Sequence, residues 1–306
     1  MVVPDSHRHH YIPESFQAHF SNSEGKLFRY DKKTGKVGHI GFSPKQLFFE
    51  WNRNTVQMRD IPPSFPETIY QKNETLTAER LNALATEPTA SSLLTQDRIL
   101  GVLGFVATQW VRSPQRDSMF AAKAIERLQN ALADNPSIRE DPARMRGIMD
   151  GIQVERAFLS AGHFLNYIKT GNAFEQPAYS HVKQMDIPFL VLSDHPVIYR
   201  NKPKLNEDVF RNFVFPLSSQ RLYWSIPENT DWTGSSKTHA VAYNILAIEE
   251  ATRYVTAWNL DVLKGFVDIW RNCRKQKVLD EYRDLLFSFP PGVILEDHLS
   301  AATSPI

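Results

Sequence analysis

A run of thirteen mostly apolar residues, 99–111, constrains the fold more than any other part of the sequence. A transmembrane helix needs about 20 apolar residues, so this run is too short to cross a membrane. Thr95 offers an N-cap oxygen ahead of the run. Pro114 ends the helix, because a residue that precedes proline avoids the α conformation. The sequence therefore predicts a helix from Thr95 to about Trp110 that is buried in a globular protein.

Helical patterns account for most of the remaining chain. Apolar residues recur at helical spacing in residues 75–87, 115–133, 241–258 and 260–287. Asp141 and Pro142 open a further helix that extends to residue 169, since proline suits the first helical turn. Glycines weaken that helix and predict a break within it, at Gly147, Gly151 or Gly162.

Short strand patterns complete the fold prediction. Residues 26–31 and 36–41 flank a turn at 32–35 in which Gly35 can take a positive φ, which predicts a β-hairpin. Further strands are predicted at residues 187–192, 210–217 and 221–226, a loop at the proline-rich residues 61–67, and a surface tail at 290–306. The predicted fold class is α+β, mainly helical with a small antiparallel sheet.

The charge balance argues against a broad nucleic-acid-binding surface. The chain has 35 Lys and Arg residues against 34 Asp and Glu residues, which gives a formal net charge of +1. Proteins that grip nucleic acid through its phosphates usually carry a clear basic excess. RNA binding would need a local patch, for which the candidates are Arg112, Arg116, Lys123 and Arg127. The sequence has no glycine-rich phosphate loop and no dinucleotide fingerprint, and no cofactor is predicted.

Cysteine content and the N-terminal residues bear on the compartment. Cys273 is the single cysteine, which excludes an intramolecular disulfide and a cysteine-based zinc site. The opening residues, MVVPDSHRHHY, lack the basic segment, apolar run and small-residue cleavage site of a secretory signal. We therefore expect a cytoplasmic protein.

The first candidate group for chemistry is a set of N-terminal histidines, His7, His9, His10 and His19. Histidine titrates near neutral pH and is a common metal ligand. The spacing matches no metal-binding motif, and clustered surface histidines are usually solvated, so no metal site is predicted. His10 is the best single candidate because Tyr11 would hold its backbone beside the core.

The second group comprises Gln109, Arg112 and Arg116. Residues three or four apart share a helix face, and two guanidinium groups directed at one place would suit a phosphate or a carboxylate. The structural alternative is that the arginines pair with carboxylates on the preceding helix, such as Glu74 or Glu79.

The third group is the sequence Ser-Asp-His-Pro at residues 193–196, which follows an apolar strand. Asp194 could serve as a general base, as a metal ligand or as an acceptor for backbone amides in a turn. Three adjacent residues do not build a Ser-His-Asp triad, and Ser193 lacks the Gly-x-Ser-x-Gly context of a nucleophile elbow.

The fourth group is Phe-Pro-Leu-Ser at residues 215–218 together with Asn244. Pro216 predicts an edge strand or a bulge, because proline cannot donate a ladder hydrogen bond. Ser218 could simply cap a turn.

These groups lie within seven short motifs whose order resembles that of domain-of-unknown-function family 4238. The motifs are HHYIPESFQAHF (9–20), LFRYDKKTG (27–35), SPKQLFFE (43–50), FVATQWVRSPQRD (105–117), FLVLSDHPV (189–197), FVFPLSSQRLYW (213–224) and AYNILAIEEATRYV (242–255). They resemble the family's His-Tyr-Val-Pro, Tyr-Asp-Lys, Ser-Pro-Lys, Arg-x-Pro-x-Arg, Ser-Asp-Asn-Pro and Pro-Leu-Ser-Pro elements and its closing helix. Ile12, His195 and Ser219 depart from the family's Val, Asn and second Pro.

The resemblance implies a division of the chain and a grouping of distant residues. Residues 1–258 would form one family-like α+β domain, and residues 259–306 a C-terminal helical extension and surface tail. The resemblance implies no particular activity, so the candidate site residues are the polar positions of the family motifs that have no evident role in the core. The catalytic candidates are His10, Arg112, Arg116 and Asp194, and the substrate-binding candidates are Glu50, Gln109, His195 and Asn244.

These residues predict a hydrolase or phosphotransfer site, of the phosphodiesterase or nuclease kind, for RNA, a nucleotide or another phosphate-bearing molecule. His10 would act as general acid or base, the arginines would stabilise negative charge, and Asp194 would orient His10 or a water molecule. The hypothesis requires all of them to meet in one cleft, where the sheet meets the helix of residues 100–116.

Two alternatives remain open. One is a non-catalytic recognition or defence-associated module that binds an anionic ligand or a protein partner. A C-terminal helix face would then contact the partner or a second copy through Phe266, Ile269, Trp270 and Leu286. The other is a metalloenzyme with His10, Glu50 and Asp194 as ligands.

Overall fold

The computed structural model describes residues 8–88, 93–171, 180–203, 208–226 and 236–287. Within these ranges the chain forms eight α-helices: α1 Glu14–Ala18, α2 Phe65–Thr86, α3 Gln96–Arg112, α4 Asp117–Asp134, α5 Pro142–Lys169, α6 Ser236–Glu250, α7 Leu260–Gln276 and α8 Leu279–Phe287. The strands in the same ranges are β1 Arg8–His10, β2 Phe28–Asp31, β3 Lys36–Val37, β4 Phe49–Trp51, β5 Ser180–Gln184, β6 Leu192–Ser193, β7 Ile198–Tyr199, β8 Phe213–Ser218, β9 Arg221–Ser225 and β10 Tyr254–Ala257.

The described strands form three small antiparallel sheets. One consists of β1 and β4, the second has the order β3-β2-β10-β6, and the third has the order β5-β9-β8-β7. In the second sheet Tyr254 of β10 pairs with Asp31, and Val255 pairs with Ser193. Three distant parts of the chain therefore meet in one sheet.

The helix α3 lies at the centre of the helical layer, where it packs against α2 and α5. Thr95 caps it by accepting the backbone N–H of Arg98 at 3.3 Å, and most of its residues are buried. Phe105 of α3 packs against Phe16 of α1 and Phe215 of β8, with ring centroids 4.6 Å and 5.2 Å away. This aromatic cluster joins the helical layer to the third sheet.

The structure confirms the predicted fold class and several predicted elements. The protein is mainly helical with small antiparallel sheets. The hairpin of β2 and β3 turns at Gly35, which has a φ of +69°. The β8–β9 pair forms as predicted, and its register shifts between Pro216 and Ser218, so Pro216 lies at a bulge.

The prediction for residues 61–87 placed the start of the helix ten residues too late. The helix α2 begins at Phe65, and Pro66 lies in its first turn, where a missing N–H costs no helical hydrogen bond. The predicted loop therefore ends at Ser64. Leu76, one of the apolar residues in the predicted range 75–87, is 64% exposed.

The predicted break in the helix that follows Asp141 was wrong. The helix α5 is continuous from Pro142 to Lys169, although it contains Gly147, Gly151 and Gly162. It packs against α2, α3 and α4, and such packing outweighs the unfavourable helix propensity of glycine.

The predicted helix at 241–258 was half wrong, because α6 ends at Glu250 and residues 254–257 form β10. Two contacts fix the reversal between them. The ammonium group of Lys32 donates hydrogen bonds to the carbonyls of Glu249 and Ala251 at 2.5 and 3.0 Å. Asp194 accepts the amides that follow, as described below. Long-range side chains thus override the local helical pattern.

Two other predicted elements differ from the structure. Only Leu192 of the predicted strand 187–192 joins a ladder, while Phe189 and Leu190 donate their N–H groups to the carbonyl of Ser219. The predicted helix 260–287 is divided into α7 and α8 at Lys277, which adopts a left-handed φ of 62°. The predicted surface tail, 290–306, lies outside the described residues.

The C-terminal helices cover the rest of the molecule rather than present an open face. Phe266, Trp270 and Leu286 are buried within the chain, and Ile269 packs against the same core. Trp270 meets Tyr30 of β2 with ring centroids 6.2 Å apart. The predicted contact face is therefore already occupied by the protein's own core. The division of the chain at residue 258 stays a prediction.

Candidate functional site

His10 lies in the two-stranded sheet, opposite Phe49 of β4. Its ring packs on Phe49 at a centroid distance of 5.6 Å, and its Nδ1 lies 3.6 Å from a carboxylate oxygen of Glu14. Its Nε2 is buried and has no hydrogen-bond partner among the described residues. Burial lowers the pKa of His10, so the imidazole is mostly neutral at pH 7.

Arg112 is enclosed by two carboxylates and an aromatic ring. Its guanidinium pairs with Glu67 at 2.9 Å and with Glu74, and it stacks over Tyr70 at 4.8 Å from the ring centroid. Only 1% of the Arg112 side chain is exposed. The structural alternative raised for this arginine, pairing with Glu74 on the preceding helix, is the arrangement observed.

Two further buried arginines hold the C-terminal end of α3. Arg156 donates from Nε to the carbonyl of Val111 at 2.6 Å and from Nη2 to that of Ser113 at 3.1 Å. Arg53 donates to the carbonyl of Arg112 at 3.1 Å. The last carbonyls of a helix lack intrahelical partners, so these guanidinium groups satisfy them.

Asp117 and Glu50 balance the charge of those arginines. Asp117 accepts from Arg53 at 2.5 Å and from Arg156 at 2.9 Å, and Glu50 accepts from Arg53 at 2.6 Å. The predicted substrate-binding residue Glu50 is thus part of an ion-pair network that anchors β4 to the end of α3.

Gln109 lies one helical turn after Phe105 and is 1% exposed. Neither its amide oxygen nor its amide nitrogen has a hydrogen-bond partner among the described residues. An unpaired buried amide is costly, which makes Gln109 the least satisfied of the predicted site residues.

Asp194 uses its carboxylate to hold the backbone that leads into β10. It accepts the N–H groups of Thr252, Arg253 and Tyr254 at 2.8, 2.7 and 2.8 Å. Burial raises the pKa of Asp194 to about 6. Of the roles considered for Asp194, acceptance of backbone amides is the one that the geometry displays, across the sheet rather than within its own turn.

Asn244 connects α6 to the extended segment before β6. Its amide nitrogen donates to the carbonyl of Phe189 at 2.9 Å, and its amide oxygen accepts the N–H of Val191 at 3.0 Å. A side-chain amide that pairs in this way replaces a neighbouring strand. Asn244 therefore explains how residues 189–191 stay extended outside any ladder.

A cleft of about 460 Å³ opens between the segment after β7, the end of α6 and the start of α8. Its lining residues are Gln115, Arg200, Asn201, Lys202, Leu246, Glu249, Glu250, Leu279, Asp280 and Arg283. We call it the Glu250 cleft, because three of its lining side chains donate hydrogen bonds to the carboxylate of Glu250.

Glu250 accepts hydrogen bonds from three lining side chains. Its carboxylate lies 2.6 Å from the ammonium nitrogen of Lys202, 2.5 Å from the guanidinium of Arg283 and 3.1 Å from the amide nitrogen of Gln115. Burial alone would raise its pKa, but Lys202, His195 and Arg283 together lower it to about 2. Glu250 is therefore ionised at every physiological pH.

His195 lies beside this cleft, within the electrostatic influence of Glu250, Arg116 and Lys202. Its Nδ1 is 3.0 Å from Oγ of Ser113, and its Nε2 makes no hydrogen bond to the described residues. Burial lowers the pKa of His195 to about 4, so the ring is neutral at pH 7.

Arg116 is the second predicted site residue in this region. Its guanidinium stacks over Trp110 at 4.7 Å and donates one hydrogen bond to the carbonyl of Pro203 at 3.3 Å. Burial lowers its pKa, while Tyr199 and Glu250 act in the opposite direction.

Arg116 and His195 lie near the Glu250 cleft, close enough for electrostatic interaction with Glu250. None of the eight predicted site residues lines the cleft, so the structure does not bring them together there: His10, Glu50, Gln109, Arg112, Arg116, Asp194, His195 and Asn244. Whether any of the eight takes part in binding or catalysis stays a prediction.

Sequence reasoning missed the residues that give the cleft its charge. Glu250, Lys202 and Arg283 lie far apart in the chain. Glu250 lies within the closing-helix motif of residues 242–255, whereas Lys202 and Arg283 lie outside the family motifs. Ser113 lies inside the Arg-x-Pro-x-Arg motif and His195 inside the Ser-Asp-His-Pro motif, so their common place within family motifs was the available signal.

The predicted basic patch is neutralised. Lys123 and Arg127 both pair with Glu155, and Arg112 is buried between Glu67 and Glu74. The four cations do not form a free positive surface.

No three His, Cys, Asp or Glu side chains in the described ranges lie close enough together to hold a metal ion. The metalloenzyme alternative with His10, Glu50 and Asp194 thus has no ligand cluster there. His7 of the histidine group lies outside the described residues.

None of the described helices combines the length and the apolarity that a membrane span requires.

Neither curated proteins nor solved structures gave a significant match to the chain. The family described as Protein of unknown function (DUF4238) matches residues 8–257, the range over which the motifs resemble it, and the chain therefore belongs to that family.

Proposed function

We propose that the protein binds a small phosphate-bearing molecule in the Glu250 cleft. The observation that carries this proposal is the incomplete pairing of three cationic side chains that line the cleft. Lys202 and Arg283 share the single carboxylate of Glu250, and the guanidinium of Arg200 has no partner among the described residues. Guanidinium groups match the geometry of phosphate oxygens.

The remaining acids of the cleft leave these cations available. Glu249 accepts a hydrogen bond from the indole of Trp270 at 2.7 Å, and Asp280 is exposed at the start of α8. A phosphate group between Arg200 and Lys202 would therefore meet two cations directly, with Arg116 close behind.

The size of the cleft favours a small ligand over a polynucleotide. Its volume of about 460 Å³ falls in the usual range of small-molecule sites, roughly 300–1,000 Å³. A nucleotide or a comparable phosphate ester fits this volume, whereas an RNA chain would need the extended basic surface that the charge pattern does not supply.

Calorimetric titration with AMP, ATP, inorganic phosphate, a short single-stranded RNA and adenosine tests the proposal. We expect AMP, ATP and inorganic phosphate to bind, and adenosine and the RNA not to bind. Arg200→Gln should weaken binding on the order of tenfold or more, because a charged hydrogen bond is lost. Lys72→Gln, at an exposed position on α2, should leave binding unchanged. Equal binding of adenosine and AMP would contradict the proposal.

A second candidate function, hydrolysis or phosphoryl transfer at the same cleft, is favoured by the Ser113–His195 pair. When Nδ1–H of the neutral His195 ring donates to Oγ of Ser113, Nε2 is unprotonated and available as a general base. We expect His195→Asn to leave ligand binding intact and to lower turnover about 100-fold, measured as released phosphate or nucleotide product. Binding without any product would support the non-catalytic recognition alternative instead.

We further propose a cytoplasmic location, supported by the lone cysteine. Cys273 is buried and unpaired, as expected for a protein of a reducing compartment. Fractionation of cells that express the full chain would test this assignment.

A further inference from the structure

A second cavity lies between α1 and α2, is lined in part by Phe105 of α3 and has a volume of about 500 Å³. Its apolar wall is formed by Pro13, Phe16, Ala78, Leu81 and Phe105, and its polar residues include His19, Glu74 and Glu79. We call it the Glu74 cavity. It is separate from the Glu250 cleft and shares no lining residue with it.

Glu74 lines this cavity, and its carboxylate is only partly paired. Its Oε1 pairs with Arg112, but its Oε2 makes no hydrogen bond to any described residue. The side chain is 23% exposed. Because of burial, the pKa of Glu74 is raised, as expected for a carboxylate that lacks full compensation.

The local charges do not balance. Arg112 is the one cation that acts on Glu74, and it also pairs with Glu67 within the described network. One positive charge therefore faces two carboxylates. Arg53 and Arg156 do not supply the missing charge, since Asp117 and Glu50 balance them. A buried negative charge beside an apolar wall is unfavourable unless a cation joins it.

The other polar groups of the cavity do not provide that cation. Burial lowers the pKa of His19, so its ring is mostly neutral at pH 7, and it packs edge-on against Phe16. Glu79 is exposed at the rim and adds a second negative group. The lining of the cavity thus combines aromatic side chains with an incompletely compensated carboxylate.

We propose that the Glu74 cavity binds a small organic amine whose ammonium group pairs with Glu74 and whose apolar body packs on Phe16 and Phe105. An ammonium completes the charge balance of Glu67, Glu74 and Arg112. Aromatic faces also attract cations, and apolar walls reward burial of an apolar body.

The test is binding of four matched compounds to the full-length protein, measured by calorimetry or ligand-observed NMR. Benzylamine and phenethylamine are the cationic probes, benzyl alcohol is the neutral probe and phenylacetate is the anionic probe. We expect the amines to bind at least tenfold more tightly than benzyl alcohol, because of the charged hydrogen bond, and phenylacetate not to bind.

Two variants identify the site. Glu74→Gln removes the charge and should abolish the preference for amines, while Arg112 keeps its pair with Glu67. Ala78→Trp fills the cavity without a change in charge and should remove binding of all four compounds. Glu126→Gln, an exposed position on α4 that lines neither cavity, should bind amines as the wild type does.

The outcomes separate this site from the Glu250 cleft. Amine binding should be unaffected by Arg200→Gln, which tests the cleft alone. Equal binding of amine and alcohol, or amine binding that survives both Glu74→Gln and Ala78→Trp, would overturn the proposal. No amine binding by a folded wild-type protein would overturn it as well.

Discussion

At the scale of single residues, Asp194 and His195 show how one cause shifts two pKa values in opposite directions. Both side chains are buried, and burial disfavours the charged form of any group. The pKa of Asp194 is therefore raised to about 6, and that of His195 is lowered to about 4. Between pH 4 and pH 6, folded Asp194 is therefore mostly protonated and folded His195 is mostly neutral, the reverse of the charged states that the free side chains adopt.

This reversal predicts a pH dependence of stability that cancels in the wild type. As the pH falls from 6.5 to 4, unfolded His195 binds a proton that the folded ring does not, which costs about 3 kcal/mol. As the pH falls from 6 to 3.8, folded Asp194 binds a proton that the unfolded chain does not, which contributes about 3 kcal/mol. The two terms oppose each other between pH 4 and pH 6.

The variants should separate the two terms. His195→Asn should become more stable relative to the wild type as the pH falls through this window, and Asp194→Asn should become less stable relative to it. Urea unfolding at a series of pH values from 4 to 7 measures both differences. A difference from the wild type that does not change with pH would contradict the assignment.

The site was less predictable than the chemistry of its residue types suggested. The fork of donors on Arg112 indicated an anion, and an anion is present, but it is the chain's own Glu67 and Glu74. A sequence does not reveal whether a guanidinium is satisfied internally, because that depends on which helix packs beside it. Arg116 and His195 were selected because they lie in family motifs, whereas Glu250 was passed over, although it also lies in such a motif, because it looks like an ordinary helical acid.

At the scale of elements, the end of α3 depends on side chains supplied by other elements. Arg156 of α5 donates to the carbonyls of Val111 and Ser113 and pairs with Asp117. Its side chain is 3% exposed. The helix that dominates the core is thus terminated by a cation from another helix, in addition to the proline that follows it.

We expect Arg156→Met to lower the free energy of unfolding by about 2 to 4 kcal/mol, because it removes the donor to the buried carbonyls of Val111 and Ser113 and one of the two ion pairs of Asp117. The matched control is Arg127→Met, which removes a pair with Glu155 on a side chain that is 43% exposed. That change should cost less than about 1 kcal/mol. Urea unfolding of both variants measures the contrast, and equal losses would contradict the role of Arg156.

The break between α7 and α8 makes a prediction of its own. Lys277 has a φ of 62°, a left-handed conformation that is unfavourable for a residue with a Cβ atom. Lys277→Gly should therefore raise the free energy of unfolding by about 1 kcal/mol.

Lys275→Gly is the matched control, because Lys275 lies in the last turn of α7. This change should lower the free energy of unfolding by about 1 kcal/mol, since glycine is a poor helix former. Thermal unfolding followed by circular dichroism gives both values. A loss of stability in Lys277→Gly would show that the left-handed residue is not strained.

Elements governed by local signals were predictable, and those governed by distant contacts were not. The cap at Thr95 and the turn at Gly35 act within a few residues, and both appeared as predicted. In the sequence, β10 looks like a continuation of the helix α6. The side chains that hold the backbone at the end of α6 and the start of β10 are Lys32 and Asp194. Because those two side chains come from distant parts of the chain, no local sequence pattern predicts where the helix ends.

At the scale of the whole molecule, α7 and α8 continue the fold beyond the family match at residue 257. The helix α7 buries Leu263, Phe266, Val267 and Trp270. Burial of each such side chain contributes about 2 kcal/mol, and their sum is comparable to the total stability of an ordinary domain.

A chain that ends at residue 258 should therefore fail to fold on its own. We expect it to aggregate or to lose cooperative thermal unfolding, whereas a chain that ends at residue 287 should unfold cooperatively. Size-exclusion chromatography and circular dichroism distinguish these results. A stable, monomeric 1–258 chain would support the predicted division into a domain and an extension.

The position of β10 in the second sheet delays completion of that sheet during synthesis of the chain. Its pairing partner β2 leaves the ribosome about 225 residues earlier, which corresponds to roughly 10 to 45 s at typical rates of translation. During that interval the edge of β2 that β10 will cover stays without its partner. The early hairpin must therefore avoid other strands for many seconds before the sheet can close.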